Sequence, residues 1–198
     1  MAGTAPDFRL DLAPPSRATF VWLFILTVAL PVAITIVALA YSMASDVPKN
    51  LVAGSVRLTW ISIVAGSILL TLAIWWLLHR RLHRHALTLH ADGIEVVTTF
   101  YRAALALDAL DLDHARVVDL DERTELKPML KTNGTGLPGL QSGWFRLRNR
   151  HKAFVAIAGS PRVFWTPTRS GYDLLLQPLQ PQALLNRLRT LATAAERR

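Results

Sequence analysis

Two stretches of the chain, residues 19–44 and 58–78, contain no Asp, Glu, Lys or Arg. The first reads TFVWLFILTVALPVAITIVALAYSM over 19–43, and the second LTWISIVAGSILLTLAIWWLL over 58–78. About 20 apolar residues, rising roughly 1.5 Å each, cross a hydrocarbon layer some 30 Å thick. The pattern therefore predicts two transmembrane helices, since a bilayer offers no water to bare backbone groups. Pro31 falls inside the first span and predicts a kink there. Trp22, Tyr41, Trp60, Trp75 and Trp76 mark the span ends, where amphipathic rings meet headgroups. Ser62 and Gly66 have small-xxx-small spacing, which predicts close packing within the helical hairpin or, as the alternative, against a second copy.

After Ala86 the long apolar runs give way to short alternating ones. ALTLH (86–90) and IEVVTTF (94–100), separated by Ala91-Asp92-Gly93, read as a β-hairpin. RAALALD (102–108) and ARVVDLD (115–121) continue the strands. WFRLRNR (144–150) sends Phe145 and Leu147 one way and Trp144, Arg146 and Arg148 the other. KAFVAIA (152–158), VFWTPT (163–168) and YDLLLQ (172–177) complete seven or eight strands, expected to be antiparallel. Residues 131–143, KTNGTGLPGLQSG, read as a long connection without secondary structure of its own. A final helix opens at Pro181 and carries Leu184, Leu185, Leu188 and Leu191 on one stripe, with Arg187 and Arg189 elsewhere.

The chain divides accordingly. Residues 1–18 are an N-terminal tail, 19–43 the first span, 44–57 an extracytoplasmic loop and 58–78 the second span. Residues 79–85 are a basic juxtamembrane segment and 86–198 a cytoplasmic, mainly β domain. A cleaved signal peptide is the competitor for the first span, but the apolar stretch is too long and Asp7 and Asp11 precede it. Arg9, Arg17, Arg80, Arg81 and Arg84 flank the outer ends of the pair, against Lys49 and Arg57 in the loop. The positive-inside rule then puts both termini in the cytoplasm, with the chain in the inner membrane.

The β pieces together resemble a pleckstrin-homology (PH) fold, and more specifically the bacterial PH-like domains of small membrane proteins. The resemblance rests on LTLHADGIEV (87–96), TNGTGLPGLQSGWFRL (132–147) and TPTRSGYDLLLQP (166–178) followed by the helix. It implies a mainly β barrel closed by a C-terminal amphipathic helix, and a binding role rather than a reaction. Phosphoinositide-binding members carry Lys or Arg around the first hairpin turn. Here that turn is His90-Ala91-Asp92-Gly93, so specific inositol-phosphate binding is not implied.

The net charge is +8, most of it beyond the second span, and 52% of residues are hydrophobic. Beside a membrane, a basic surface first suggests anionic lipid. There is no cysteine, which excludes disulfides and thiolate chemistry. Arg80, Arg81 and Arg84 form a membrane-surface cluster. His79 and His83 lack the further ligands a metal needs. The acidic run Asp108, Asp111, Asp113, Asp119 and Asp121 lacks the glycine turn of a calcium loop. Nothing matches a phosphate-binding loop or a catalytic motif, and no nucleic-acid motif accompanies the basic residues. The chain is expected to be no enzyme and to use no cofactor or metal. The candidate partner-binding residues are Lys131, Asn133, Gly134, Gly136, Arg146, Arg148 and Arg150. The expected function is a membrane-anchored interaction module that binds a protein partner or an anionic membrane surface. The alternative is a structural subunit of a larger membrane complex, including a homo-oligomer.

Overall fold

The computed structural model describes residues 8–10, 12–45, 55–82, 86–90, 92–98 and 101–196. The chain forms two compact units. One is helical, residues 20–81. The other joins residues 1–19 to 82–198.

The first long helix runs as α1 (Arg17–Phe24), a π turn (Ile25–Ala29) and α2 (Leu30–Ala44). Pro31 has no N–H, and its ring crowds the carbonyl of residue 27, four residues back. The helix answers with a wider turn just before it, in which the Leu30 N–H reaches back to Ile25 O. The second long helix is α3 (Val56–Leu82). Both are long and apolar enough to cross a membrane. Only 11% and 6% of their most apolar windows are buried, whereas the core helix of a soluble fold is mostly buried. Thr35 and Ser67 hydroxyls meet across the two helices at 3.3 Å. Since the Thr35 hydroxyl already donates to Pro31 O at 2.8 Å, Ser67 is the donor in this contact. Ser62 and Gly66 are exposed, and a Cβ built on Gly66 would meet nothing within 4 Å. The expected packing of the Ser62/Gly66 pair inside the helical hairpin is therefore corrected: Thr35 and Ser67 make that contact, and the small pair faces outward.

Among the described residues the other unit holds ten strands in two sheets. The four-stranded sheet has the order β1 (Phe8–Leu10), β2 (Ala86–Leu89), β3 (Gly93–Val97), β4 (Arg102–Ala106). The six-stranded sheet has the order β5-β9-β10-β8-β7-β6. Its strands are β5 (Arg116–Asp119), β6 (Pro128–Leu137), β7 (Leu140–Leu147), β8 (Lys152–Ile157), β9 (Arg162–Pro167) and β10 (Asp173–Leu176). The two sheets do not form one closed barrel, which corrects the barrel expectation. Nor are all pairs antiparallel, because β10 inserts between β9 and β8 and runs parallel to β8. A strand covered on both faces reads as a continuous apolar run rather than an alternation. Leu174, Leu175 and Leu176 are such a run, and all three are fully buried.

One core lies between the sheets and under α4 (Pro181–Glu196). It contains Leu87, Ile94, Val96, Leu105, Phe154, Phe164, Leu174 and Leu176, closed by Leu184, Leu185 and Leu188 of the helix. A second core fills the other face of the six-stranded sheet, around Phe145, Leu147, Val155, Val163 and Leu175, with Leu120 and Leu126 from the β5–β6 connection.

Residues before the first long helix belong to this unit. β1 pairs antiparallel with β2, Leu12 bridges to Pro178, and the Ala13 N–H donates to Gln177 O at 2.9 Å. Leu12 is buried in the inter-sheet core. The reading of 1–18 as a separate tail, and of 86–198 as the whole β domain, gives way to a domain assembled from both flanks of the helical pair. A three-residue strand is too short to show the alternation from which strands are read.

Candidate functional site: the basic edge of the six-stranded sheet

Residues 131–143 are strand, not loop. β6 and β7 pair from Pro128↔Leu147 to Leu137↔Leu140 around the turn residues Pro138 and Gly139. Pro138 fixes its own φ, and Gly139 takes φ +78, the pairing that a type II turn requires. The glycines that give the segment its loop-like composition serve close packing. A Cβ on Gly134 would sit 2.7 Å from Ser142 O, and one on Gly143 would sit 2.6 Å from the Gly134 Cα. Facing glycines thus let β6 and β7 approach. The turn itself is occupied by the chain: the buried Thr19 hydroxyl donates to Pro138 O at 2.9 Å, and a Cβ on Gly139 would strike the Ser16 hydroxyl. Gly134 is therefore a packing residue. Gly136 is exposed, and a Cβ there would meet only Phe145, at 4.0 Å.

The β7–β8 hairpin holds the cations. Phe145 and Leu147 are buried while Arg146 and Arg148 are exposed, as the alternation predicts. Arg146 lies directly opposite Lys152, and Leu130 of β6 lies opposite Arg146 on the other side. Leu130, Arg146 and Lys152 thus form one row across three strands. Like charges directly opposite each other on a sheet are destabilising. Lys131, Arg146, Arg148, Arg150 and Lys152 are all exposed, and none of them forms an ion pair among the described residues. Two carboxylates of the preceding connection are engaged elsewhere, Asp121 with Lys127 at 2.8 Å and Glu125 with Arg123 at 3.4 Å.

The next row is aromatic. The Lys152 ammonium stands 4.4 Å above the Trp144 ring. Trp144 in turn meets Phe154 and Tyr172 edge-on at 5.3 and 5.0 Å between centroids. Burial beside these rings pushes the Tyr172 hydroxyl pKa up. Asn133 pairs with Trp144 in register and accepts a 2.8 Å hydrogen bond from the Tyr101 hydroxyl. Asn133 is exposed, with its side-chain oxygen engaged by Tyr101.

Arg150 closes the hairpin in the left-handed region, φ 71, the one non-glycine with positive φ among the described residues. Its N–H donates to Leu147 O at 2.9 Å. Glycine or asparagine adopts this conformation at lower cost than a long side chain. Next to it His151 approaches Asp173 at 3.6 Å. Asp173 is the only buried charged residue among those described, and its Oδ2 accepts no hydrogen bond.

The remaining candidates lie elsewhere. Arg80 stands 5.1 Å from the Trp76 ring at the end of α3, and Arg81 is exposed there. Arg84 lies outside the described residues, as do Lys49 and most of the 44–57 loop. The acidic run borders a cleft of about 640 Å³, where Asp108, Asp111 and Asp113 share the lining with Arg169 and Arg189.

Lys152 joins Arg146, Arg148 and Arg150 on one hairpin already in the sequence, but sequence reading missed Met129 and Leu130 as parts of this edge. Met129 and Leu130 are 66% and 56% exposed. The β6–β7 register shifts between Pro128 and Leu130, so Met129 is the extra residue of a bulge on an edge strand. Their signal is present only in part: two apolar residues in PMLK look like core until the register turns them out. Comparison with family models, with curated proteins and with solved structures returns no match.

Proposed function

We propose that the chain is a membrane-anchored interaction module. The two long helices hold it in the bilayer, and the β unit docks through its basic β7–β8 edge onto an anionic surface, that of a protein partner or of the membrane. The PH-like resemblance is kept as the finer reading of the β unit. Strand-rich sheets covered by a C-terminal amphipathic helix support it, although the sheets do not close into one barrel.

The observation that carries the docking reading is the Arg146–Lys152 pair, flanked by Arg148 and Arg150, none of them in an ion pair among the described residues. Each cation near an anionic surface contributes about 1 kcal/mol. The cross-strand repulsion, eased within the fold only by the Trp144 ring under Lys152, is relieved further when an anion arrives. Both termini on the cytoplasmic side of the inner membrane fit this reading, because that leaflet face is anionic and β1 and β2 share one sheet.

Arginine footprinting with phenylglyoxal tests it. In native membranes Arg146, Arg148 and Arg150 should react more slowly than in the purified protein in neutral detergent, and high salt should restore their reactivity. Equal reactivity in both settings would remove the docking reading.

A second reading, a subunit packed against another membrane helix, is favoured by one observation: Ser62 and Gly66 face away from the first helix.

A further inference from the structure

The β unit buries its apolar side chains well. Among its described residues only Met129, Leu130 and Leu179 are large, apolar and exposed. Two of the three are consecutive, and they lie within the cationic edge. Arg146 faces Leu130 across the ladder and Lys152 stands beyond Arg146 in the same row, whereas Lys131 is registered with Phe145 on the other face. The β6 strand is also the outer strand of its sheet.

An apolar pair on an edge strand is an aggregation liability, which proteins normally blunt with charge. Here the Arg146 and Lys152 row flanks the pair without covering it. Apolar tips beside Arg and Lys match the layered chemistry of a bilayer surface, where phosphates lie outside and hydrocarbon within. An acidic protein surface would match the cations and leave Met129 and Leu130 wet. The chain also carries two helices of bilayer length, so a lipid surface is always present at high effective concentration.

We infer that Met129 and Leu130 form an interfacial wedge that enters an anionic lipid surface, guided by Arg146, Arg148 and Lys152. This rests on the docking reading above and narrows its partner to lipid. The bulge at Met129 explains why the strand can present the pair. The extra residue frees the side chain from the ladder while β7 holds its neighbours on either side.

The chain has no cysteine, so Met129→Cys in the full-length protein gives a single nitroxide site. The protein is reconstituted in nanodiscs of either phosphatidylcholine alone or phosphatidylcholine with phosphatidylglycerol. In the anionic discs, accessibility of the label to a water-soluble nickel relaxant should fall several-fold and accessibility to oxygen should rise. A label at Leu179→Cys should not change. Adding Arg146→Ala and Lys152→Ala to the Met129→Cys protein should return the label to water. The same aqueous accessibility in both discs would overturn the inference. So would dipolar broadening between labels, which would mean that a second copy covers the wedge. If the arginine footprint is protected in native membranes while position 129 stays aqueous in anionic discs, the docking reading stands and the lipid wedge falls. If neither changes, both fall.

Discussion

Leu10, before the first long helix, is the antiparallel register partner of Leu87, after the second. One sheet therefore contains strands from both sides of the helical pair. A sheet cannot form through a bilayer, so both flanks must lie on one side if both helices span. Reporter fusions after Asn50 and after Arg198 are expected on opposite sides of the membrane. Signals from the same side would break this arrangement.

The same pairing changes what the isolated β region should do. Residues 86–198 alone lack β1 and the buried Leu12. Joining residues 1–19 to 82–198 by a flexible linker should raise the stability of the fragment by about 2 kcal/mol, on the scale of one buried leucine. Urea unfolding of the two fragments measures the difference, and equal midpoints would show that the N-terminal strap contributes nothing.

Gly143 and Gly66 should respond oppositely to a side chain. Gly143 has φ +112, and a methyl group there would have backbone atoms within 3 Å, so Gly143→Ala should cost at least about 2 kcal/mol. Gly66→Ala meets open space and should leave the helical pair unchanged. Loss of the hydroxyl pair in Thr35→Val should cost about 0.6 kcal/mol. Thermal unfolding of the three variants in one detergent ranks them.

Arg150→Gly should stabilise the β unit by about 1 kcal/mol, because φ 71 suits glycine. The same variant should weaken anionic docking by removing a cation. A gain in stability accompanied by a loss of binding would identify Arg150 as kept for charge rather than for fold. Unchanged binding would place it outside the docking edge.

Acid should loosen the four-stranded sheet. The hydrogen bond from Arg102 holds the Glu95 carboxyl below its ordinary value of 4.5, against the opposing effect of burial and with a smaller contribution from His90. A lowered folded-state pKa contributes stability that is complete above the unfolded value and is lost as pH falls through the folded one. Asp111 is shifted the same way: burial works to raise its pKa, but hydrogen bonds from His114 outweigh it. Hydrogen exchange in β2–β4 should therefore quicken as pH drops below about 4.5, beyond the intrinsic pH dependence of exchange. Glu95→Gln should flatten that dependence, and an unchanged profile would show that the pair contributes nothing to the sheet.

Much is legible in the sequence because it depends on short-range periodicity. Charge-free stretches of bilayer length define the two helices, and short apolar or alternating runs between turn residues locate eight of the ten strands among the described residues, with β7 read four residues late. The Phe145/Leu147 against Arg146/Arg148 split is a direct consequence of a strand's period of two. The leucine stripe of α4 follows from helical spacing in the same way, and three of its four leucines are buried. What the sequence could not decide depends on partners distant along the chain. β1 has too few residues to carry a pattern, and only pairing with β2 makes it a strand. β6 reads as a loop because glycine permits both a flexible connection and a close strand approach, and only the facing Gly143 selects the second. The triple leucine of β10 reads as one more antiparallel strand, whereas its place between β9 and β8 depends on two faces that both need covering. The exposure of Met129 and Leu130 is decided last, by a one-residue shift in register that no local pattern records.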